Sequence, residues 1–162
     1  MKTRPATPAD AAKIAEIYNH GIEARVATFE TTLRTERDIL TWFDQPYPVV
    51  VVESLEGVAA FAATSSYRPR ACYAGIAEFM VYVAPEMQRR GLGKVALEAL
   101  FAAAGEHGLH KLVSRVFTDN YASRRLLASV GFREVGVYER HAQLDGVWRD
   151  VVIVERLLDP PA

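Results

Sequence analysis

The sequence predicts a single α/β (α+β) domain in which strands and helices alternate along the chain. Half of its 162 residues are hydrophobic, which is enough for one substantial core. Short Val-rich segments alternate with longer Ala- and Leu-rich segments, the patterns of buried strands and of packed helices. We therefore expect one domain over residues 1–158, followed by a frayed tail at 159–162.

Cap and turn residues divide the chain into eleven elements. Thr7, Pro8 and Asp10 form a helix start, with Thr7 as N-cap, and Gly131 is placed to close a later helix. Tight turns at 55–57 and 144–146 join two pairs of strands. The predicted helices cover residues 7 to about 21, 35–43, 95 to about 107, and 121–130. The predicted strands cover residues 1–4, 49–53, 58–65, 77–83, 112–117, 132–138 and 147–157.

The junction between the strand that ends at Val83 and the next helix is the most informative segment. Its loop contains two glycines, Gly91 and Gly93, which let the backbone approach a ligand closely. The unpaired N–H groups at a helix start bind anions, phosphate above all. Three cations in the same loop add positive charge: Arg89, Arg90 and Lys94. The sequence therefore predicts a ligand that carries a pyrophosphate.

Two common nucleotide motifs do not fit this loop. A P-loop requires a hydroxyl residue after its lysine, and Val95 follows Lys94. A dinucleotide fingerprint requires a third glycine, and Ala96 stands at that position. What remains is Gln-Arg-Arg-Gly-Leu-Gly over residues 88–93, after a Val-rich strand.

This pattern resembles the acetyl-CoA pyrophosphate loop of the GNAT acyltransferase superfamily, and the element order matches over essentially the whole chain. The resemblance implies a mixed, mostly antiparallel central sheet flanked by helices, with central strands that splay apart. It implies acetyl-CoA as co-substrate and no metal. The residues it assigns to acetyl-CoA are Val81, Tyr82, Val83, Gln88, Arg89, Arg90, Gly91, Leu92, Gly93, Lys94, Asn120 and Ser123. Asn120 is alternatively a helix N-cap.

Several segments look more narrowly like the phosphinothricin-type N-acetyltransferases. They are residues 17–22, 27–30, 67–70, 120–123 and 130–132, together with Gly146, Trp148 and Asp150. Those enzymes acetylate the α-amine of glutamate-like compounds, so the resemblance implies a small-molecule amine acceptor. It also implies a homodimer with active sites near the subunit contact.

Glu78 is the candidate catalytic residue, because the resemblance places a general base at this position. Alternation along the strand puts Glu78, Met80 and Tyr82 on one face and the residues between them on the other. A carboxylate in an apolar strand is unfavourable unless it is solvated or paired, and burial would make it a stronger base. A backbone N–H of Val81–Val83 is the expected donor to the thioester oxygen.

Four residues are candidates for binding the acceptor. Arg68 and Arg70 suit acidic groups, because guanidinium binds carboxylate or phosphinate with two hydrogen bonds. Phe29 and Glu30 lie between the first two helices, where this fold covers the acceptor. Phe29 is equally well explained as a core residue.

The chain departs from the phosphinothricin-type pattern at two places. Leu127 stands where those enzymes have a histidine and other GNAT enzymes a tyrosine, and leucine cannot donate a proton. Tyr121, Tyr138, His141 and water are alternative acids for the leaving thiolate. Leu144 and Asp145 replace a lysine and an aromatic residue.

Composition excludes several other classes of protein. The net charge of −1 gives no case for nucleic acid or a membrane surface, and the single cysteine, Cys72, allows no disulfide within the chain. His20, His107 and His110 lack metal-ligand spacing. We expect a cytoplasmic protein.

The function that these observations predict is acetyl transfer from acetyl-CoA to a small amino acid or a toxic analogue of one. Such analogues include phosphinothricin, methionine sulfoximine and arsenical relatives, and their acetylation confers antibiotic or herbicide resistance. The alternatives are an acetyltransferase for protein N-termini or other amines, and a sensor that binds acyl-CoA without turnover.

Overall fold

The computed structural model describes residues 1–159 and contains seven strands and four α-helices. The strands are β1 (Lys2–Pro5), β2 (Val49–Ser54), β3 (Gly57–Ser66), β4 (Ile76–Val83), β5 (Lys111–Phe117), β6 (Arg133–Leu144) and β7 (Val147–Leu157). The helices are α1 (Ala11–Ala24), α2 (Glu36–Leu40), α3 (Leu92–Glu106) and α4 (Tyr121–Ser129). The predicted tail beyond Asp159 lies outside the described residues.

The strands form one sheet in the order β1-β2-β3-β4-β5-β7-β6. Every neighbouring pair is antiparallel except β4 and β5, which are parallel. The predicted mixed, mostly antiparallel sheet is confirmed. Because β4 and β5 run in the same direction, the chain must cross over between them, and α3 makes that crossover.

Helices cover both faces of the sheet, and β4 shows which residues face each layer. Tyr82 packs against Tyr18 of α1, with ring centroids 5.2 Å apart. Phe79 faces the other way and packs against Phe132, which contacts Phe101 of α3. The alternation predicted for β4 is therefore confirmed, with Glu78 on the α1 side of the sheet.

Several element boundaries differ from the prediction, and two of these differences have a clear structural cause. Helix α3 starts at Leu92 rather than Val95, because Gly91 adopts a left-handed φ of 79° and serves as N-cap. Strand β6 continues beyond residue 138 to Leu144, through a shift of register between Tyr138 and Ala142. At this irregularity Arg140 has a φ of 45°, and its N–H donates to the Asp150 carboxylate at 2.7 Å. A bulge held by a side chain leaves no clear mark in the sequence.

A nearly buried ion pair fixes the start of α1 to the sheet. Asp10, which is 7% exposed, accepts two hydrogen bonds from Arg4 of β1, at 2.8 and 2.9 Å. It also accepts the N–H of Thr7 at 2.8 Å, as the predicted cap requires, and Arg4 donates to Glu53 of β2 at 2.8 Å. The hydrogen bonds from Arg4 lower the pKa of Asp10, against an opposing effect of burial.

We predict that Asp10→Asn destabilises the protein by about 2 kcal/mol, because the substitution leaves Arg4 without part of its compensation. The folded state lowers the pKa of Asp10, so its stabilisation is complete above the unfolded value of about 4. It is lost as the pH falls through the lower folded value. Urea unfolding of both proteins should therefore show a difference that is constant near pH 7 and shrinks below about pH 4.

Asp38→Asn is the matched control for this prediction. Asp38 caps α2 through the N–H of Thr35 at 2.8 Å in the same way, but it is exposed. Its substitution should destabilise the protein less than Asp10→Asn. Equal losses from the two variants, or a difference that does not shrink at all as the pH falls below about 4, would contradict the role given to Arg4.

Candidate functional site

Strands β4 and β5 stay paired for only three residues. The pairs are Ile76 with Lys111, Ala77 with Leu112, and Glu78 with Val113. Both strands continue, β4 to Val83 and β5 to Phe117, without further pairing between them in residues 1–159. The strands part beyond Glu78 and leave an opening in the middle of the sheet, which we term the cleft.

Alternation along β4 determines which backbone groups face the cleft. The N–H of Ala84 donates to Ala59 at 2.8 Å, so Tyr82 and Met80 also direct their N–H groups to β3. The N–H and C=O groups of Val81 and Val83 then point into the cleft. Of the segment predicted to supply a donor, Val81 and Val83 are placed to do so, and Tyr82 is not.

The loop after β4 presents positive charge and free N–H groups at the end of the cleft. Gly91 contributes no side-chain cap, so in the described structure the N–H groups of Leu92, Gly93 and Lys94 have no capping side chain. Arg89, Arg90 and Lys94 are exposed, and none of them forms an ion pair within residues 1–159. Such an arrangement suits an anion of high charge.

A cavity of about 730 Å³, the loop cavity, joins this loop to the cleft. It is lined by all the residues predicted to bind acetyl-CoA except Arg90, which lies outside it. Sequence reasoning missed the part of the wall that comes from the end of α1 and the segment after it. Those residues are His20, Gly21, Ala24, Val26 and Ala27.

The two loop glycines serve different purposes. A Cβ at Gly91 would meet no atom within 4 Å, so Gly91 leaves open space in front of the helix end. A Cβ at Gly93 would lie 2.9 Å from the side chain of Leu126 in α4. Gly93 therefore makes room for α4, and because it also lines the loop cavity, its role in ligand approach stays a prediction.

Asn120 is both a helix cap and a cavity residue. Its side-chain oxygen accepts the N–H of Ser123 at 3.2 Å, and its amide donates to the carbonyl of Val26 at 3.1 Å. Asn120 and Ser123 both line the loop cavity. The amide therefore ties the start of α4 to the segment after α1, across the mouth of the cleft.

Glu78 lies where the two strands part, and its carboxylate is not buried. The side chain is 33% exposed, and Oε1 accepts a hydrogen bond from Arg115 of β5 at 2.9 Å. An apolar strand requires the Glu78 carboxylate to be either solvated or paired, and in the structure it is both. Arg115 was not among the predicted site residues.

Two further cavities meet at Glu78, both on the α1 side of the sheet. The strand cavity, about 450 Å³, is lined by Tyr67, Arg68, Tyr73, Ile76, Glu78, Lys111, Val113, Ser114, Arg115, Val135, Tyr138, Ile153 and Glu155. The helix cavity, about 430 Å³, is lined by Tyr18, Glu30, Arg34, Trp42, Gln45, Tyr47, Ala63, Thr64, Ser65, Ser66, Glu78 and Met80. A narrow cavity of about 70 Å³ within the cleft, bordered by Met80, Tyr82 and Arg115, lies between them and the loop cavity.

The four predicted acceptor residues are not brought together. Arg68 lines the strand cavity with its guanidinium over the ring of Tyr67, at 5.0 Å, whereas Arg70 is exposed outside that cavity. Glu30 lines the helix cavity and is paired with Arg34 at 3.0 Å.

Phe29 packs edge-on against Phe117, with centroids 4.9 Å apart, in a small hydrophobic cluster that includes Leu144. Its role as a packing residue is the one the structure supports. The two residues that replace the family pattern are also explained by packing and pairing. Leu144 is buried in this cluster, and Asp145 pairs with Arg25 at the end of α1, at 2.9 Å.

The side chain of Leu127 cannot donate a proton to the leaving thiolate. Leu127 is 2% exposed and borders the narrow cavity. Of the alternative acids, Tyr121 is exposed next to Arg124. Tyr138 lines the strand cavity and packs against His141 with the two rings tilted and their centroids 5.0 Å apart. Tyr82 borders the narrow cavity too, but burial raises its pKa, which makes its phenol a hydrogen-bond donor and a poor acid.

Residues 1–159 contain no group of three or more His, Cys, Asp or Glu side chains arranged to hold a metal ion. Within the same residues, no helix is long and apolar enough to cross a membrane.

Comparison with known proteins gives consistent matches. Residues 14–132 match the model of the acetyltransferase (GNAT) family. The chain is 33% identical to a phosphinothricin N-acetyltransferase of Streptomyces coelicolor, over 98% of this chain and 96% of that protein. It is 32% identical to an L-methionine sulfoximine/L-methionine sulfone acetyltransferase of Pseudomonas paraeruginosa, over 97% and 94%. The structure of yncA from Salmonella typhimurium, solved with its cofactor acetyl-CoA, superposes with a TM-score of 0.93 at 31% identity, over 100% of this chain and 96% of that one.

We predict that Gly21→Ala destabilises the protein by about 2 kcal/mol, through overpacking against a rigid wall of the loop cavity. The added Cβ would lie 2.4 Å from the ring of Tyr82, which Tyr18 and Phe61 hold on other sides. Gly105→Ala is the matched control, because Gly105 is also helical and its Cβ would meet no atom within 4 Å. It should gain up to about 1 kcal/mol from helix propensity. Stabilisation by both changes in urea unfolding would contradict the close contact at Tyr82.

Proposed function

Because the chain belongs to the GNAT acetyltransferase family, we propose that it transfers acetyl from acetyl-CoA to the α-amine of a small amino acid or of a glutamate-like toxic analogue. The observation that carries the proposal is the position of Glu78 at the apex of the cleft. Its carboxylate lies between the cavities on the α1 side, while the anion-binding loop lies at the other end of the cleft. Donor and acceptor can therefore approach one point from opposite sides.

The loop residues fit acetyl-CoA. Arg89, Lys94 and the free N–H groups at the start of α3 would hold its pyrophosphate, since they carry charge that no residue in 1–159 neutralises. The N–H groups of Val81 and Val83 face the cleft and would donate to the pantetheine arm and the thioester oxygen. That oxygen becomes negative as the amine adds, and fixed donors stabilise it most at that moment.

Glu78 is proposed as the general base. An α-amine is mostly protonated at neutral pH and must lose a proton before it can attack the thioester. The exposed edge of the Glu78 carboxylate can accept that proton directly or through one water molecule. The CoA thiolate has a modest pKa, so it can leave and take a proton from water, which accounts for activity despite Leu127.

The acceptor class is supported by charge and by the relatives. Arg68 lines the strand cavity, in which Glu78 also lies, and suits a carboxylate or phosphinate. The two relatives named above act on phosphinothricin and on methionine sulfoximine or sulfone. Acetylation converts the basic amine of such compounds into a neutral amide. We therefore propose that the protein acts in the cytoplasm and confers resistance to these compounds.

We also propose that the protein acts as a homodimer. The edge strand β6 is exposed over almost its whole length and presents Val135, Val137 and Tyr138 to the surroundings. An open strand edge with exposed apolar side chains is a surface that another chain tends to cover. Two of these residues, Val135 and Tyr138, also line the strand cavity, so a partner at β6 would complete its wall.

Release of CoA thiol in the presence of different acceptors tests the function. Phosphinothricin and methionine sulfoximine should be acetylated with a kcat/KM at least about tenfold above that for spermidine or for a peptide N-terminus. Equal rates with spermidine would contradict an acidic acceptor. Tight binding of acetyl-CoA without thiol release from any acceptor would overturn the proposal.

We predict that Glu78→Gln lowers kcat at least about 100-fold in this assay, because a general base contributes that much or more. The Kd for acetyl-CoA should change little, since Glu78 does not line the loop cavity. Glu134→Gln is the control. Like Glu78→Gln, it breaks an ion pair with an arginine, here Arg124 at 2.9 Å, but Glu134 borders none of the four cavities described above. A kcat unchanged by Glu78→Gln at every pH tested would refute the assignment of the base.

A further inference from the structure

Arg115 is the cation closest to the proposed base, and it lies at the centre of the cavities. It borders the strand cavity together with Glu78 and the narrow cavity together with Met80 and Tyr82. Its guanidinium therefore lies between the space proposed for the acceptor and the cleft in which the thioester would be held. The side chain is 46% exposed, so a ligand in the strand cavity can reach it.

The guanidinium of Arg115 keeps most of its hydrogen-bonding capacity free. A guanidinium has five N–H donors, and within residues 1–159 only Nη2 is used, in the 2.9 Å hydrogen bond to Glu78. The other donors can bind a second carboxylate without breaking the first bond. Arg115 can therefore pair with Glu78 and bind an acidic ligand at the same time.

The other cation on the same strand is already occupied. Lys111 pairs with Glu155 at 3.0 Å, and Glu155 pairs in turn with Arg133 at 2.6 Å. The hydrogen bonds from Arg133 and Lys111 lower the pKa of Glu155 and engage its carboxylate. Among the described cations of the strand cavity, Lys111 belongs to a chain of ion pairs, whereas Arg115 and Arg68 can offer an acidic ligand the two parallel N–H donors of a guanidinium.

Building on the proposed function, we propose that Arg115 binds the α-carboxylate of the acceptor and thereby selects free amino acids over other amines. The α-amine and α-carboxylate of an amino acid are attached to one carbon. Their opposite charges match a carboxylate and a guanidinium that lie side by side, as Glu78 and Arg115 do. An amino acid bound in this way places its amine at the base, its carboxylate on Arg115 and its polar or acidic side chain toward Arg68.

This arrangement accounts for selectivity that Arg68 alone cannot give. An amine without a neighbouring carboxylate leaves the free donors of Arg115 unused, and a peptide N-terminus carries an amide at that position. A polar group that loses its partner in a partly enclosed site weakens binding strongly. The specificity-determining residue for the α-carboxylate is therefore Arg115.

The test compares L-methionine sulfoximine with its α-carboxamide in wild-type protein and in Arg115→Gln. The wild type should prefer the free acid by roughly 10- to 100-fold in kcat/KM, the range for a hydrogen bond to a charged group. Arg115→Gln should lose most of that preference, with a fall in kcat/KM for the acid and a change below about threefold for the amide. Arg115→Lys should lie between the two proteins, because it keeps the charge and loses the two-pronged contact.

Lys111→Gln is the matched control, because it removes a cation from the same strand and cavity whose charge is already paired. It should leave the ratio of acid to amide as in the wild type. Equal losses for acid and amide in Arg115→Gln would overturn the proposal, because they would mean that Arg115 only positions Glu78. A wild type that acetylates acid and amide equally well would also overturn it while leaving the proposed function standing. A wild type that acetylates neither compound, nor any other acceptor, would instead remove the proposed function on which the inference rests.

Discussion

The parting of β4 and β5 after three paired residues is the constraint on which the site depends. Two parallel strands that stayed paired would use the N–H groups of Val81 and Val83 in the sheet and would leave no opening. Because the strands part at Glu78, those groups face the cleft and a carboxylate lies at its apex. The proposed catalytic geometry is therefore a property of the sheet, and the loops add charge and walls to it.

Packing on both sides of the cleft keeps it open. On one side, Tyr82 is held by α1, where Gly21 leaves space for its ring. On the other side, Gly93 lets Leu126 of α4 approach α3, and Asn120 ties α4 to the segment after α1. The buried Leu127 fills the place between these elements. An apolar residue there strengthens the packing, and under the proposed function the proton for the leaving thiolate comes from water.

Local patterns in the sequence were enough to predict the element order, the glycine loop and the strand that carries Glu78. They depend on caps, turns and alternation, which act over a few residues. The Arg115–Glu78 pair could not be found in this way, since its partners are 37 residues apart and meet only through the pairing of β4 with β5. The packing of Phe29 on Phe117 and the contact of Gly93 with Leu126 are tertiary in the same sense.

Amide hydrogen exchange along β4, measured by NMR with and without saturating acetyl-CoA, tests the central claim most directly. The N–H groups of Met80 and Tyr82 are paired with β3 and should exchange slowly in both states. Those of Val81 and Val83 should exchange quickly in the free protein and become protected when acetyl-CoA binds. Slow exchange of Val81 and Val83 in the free protein, or no added protection with acetyl-CoA, would contradict a cleft that holds the donor between β4 and β5.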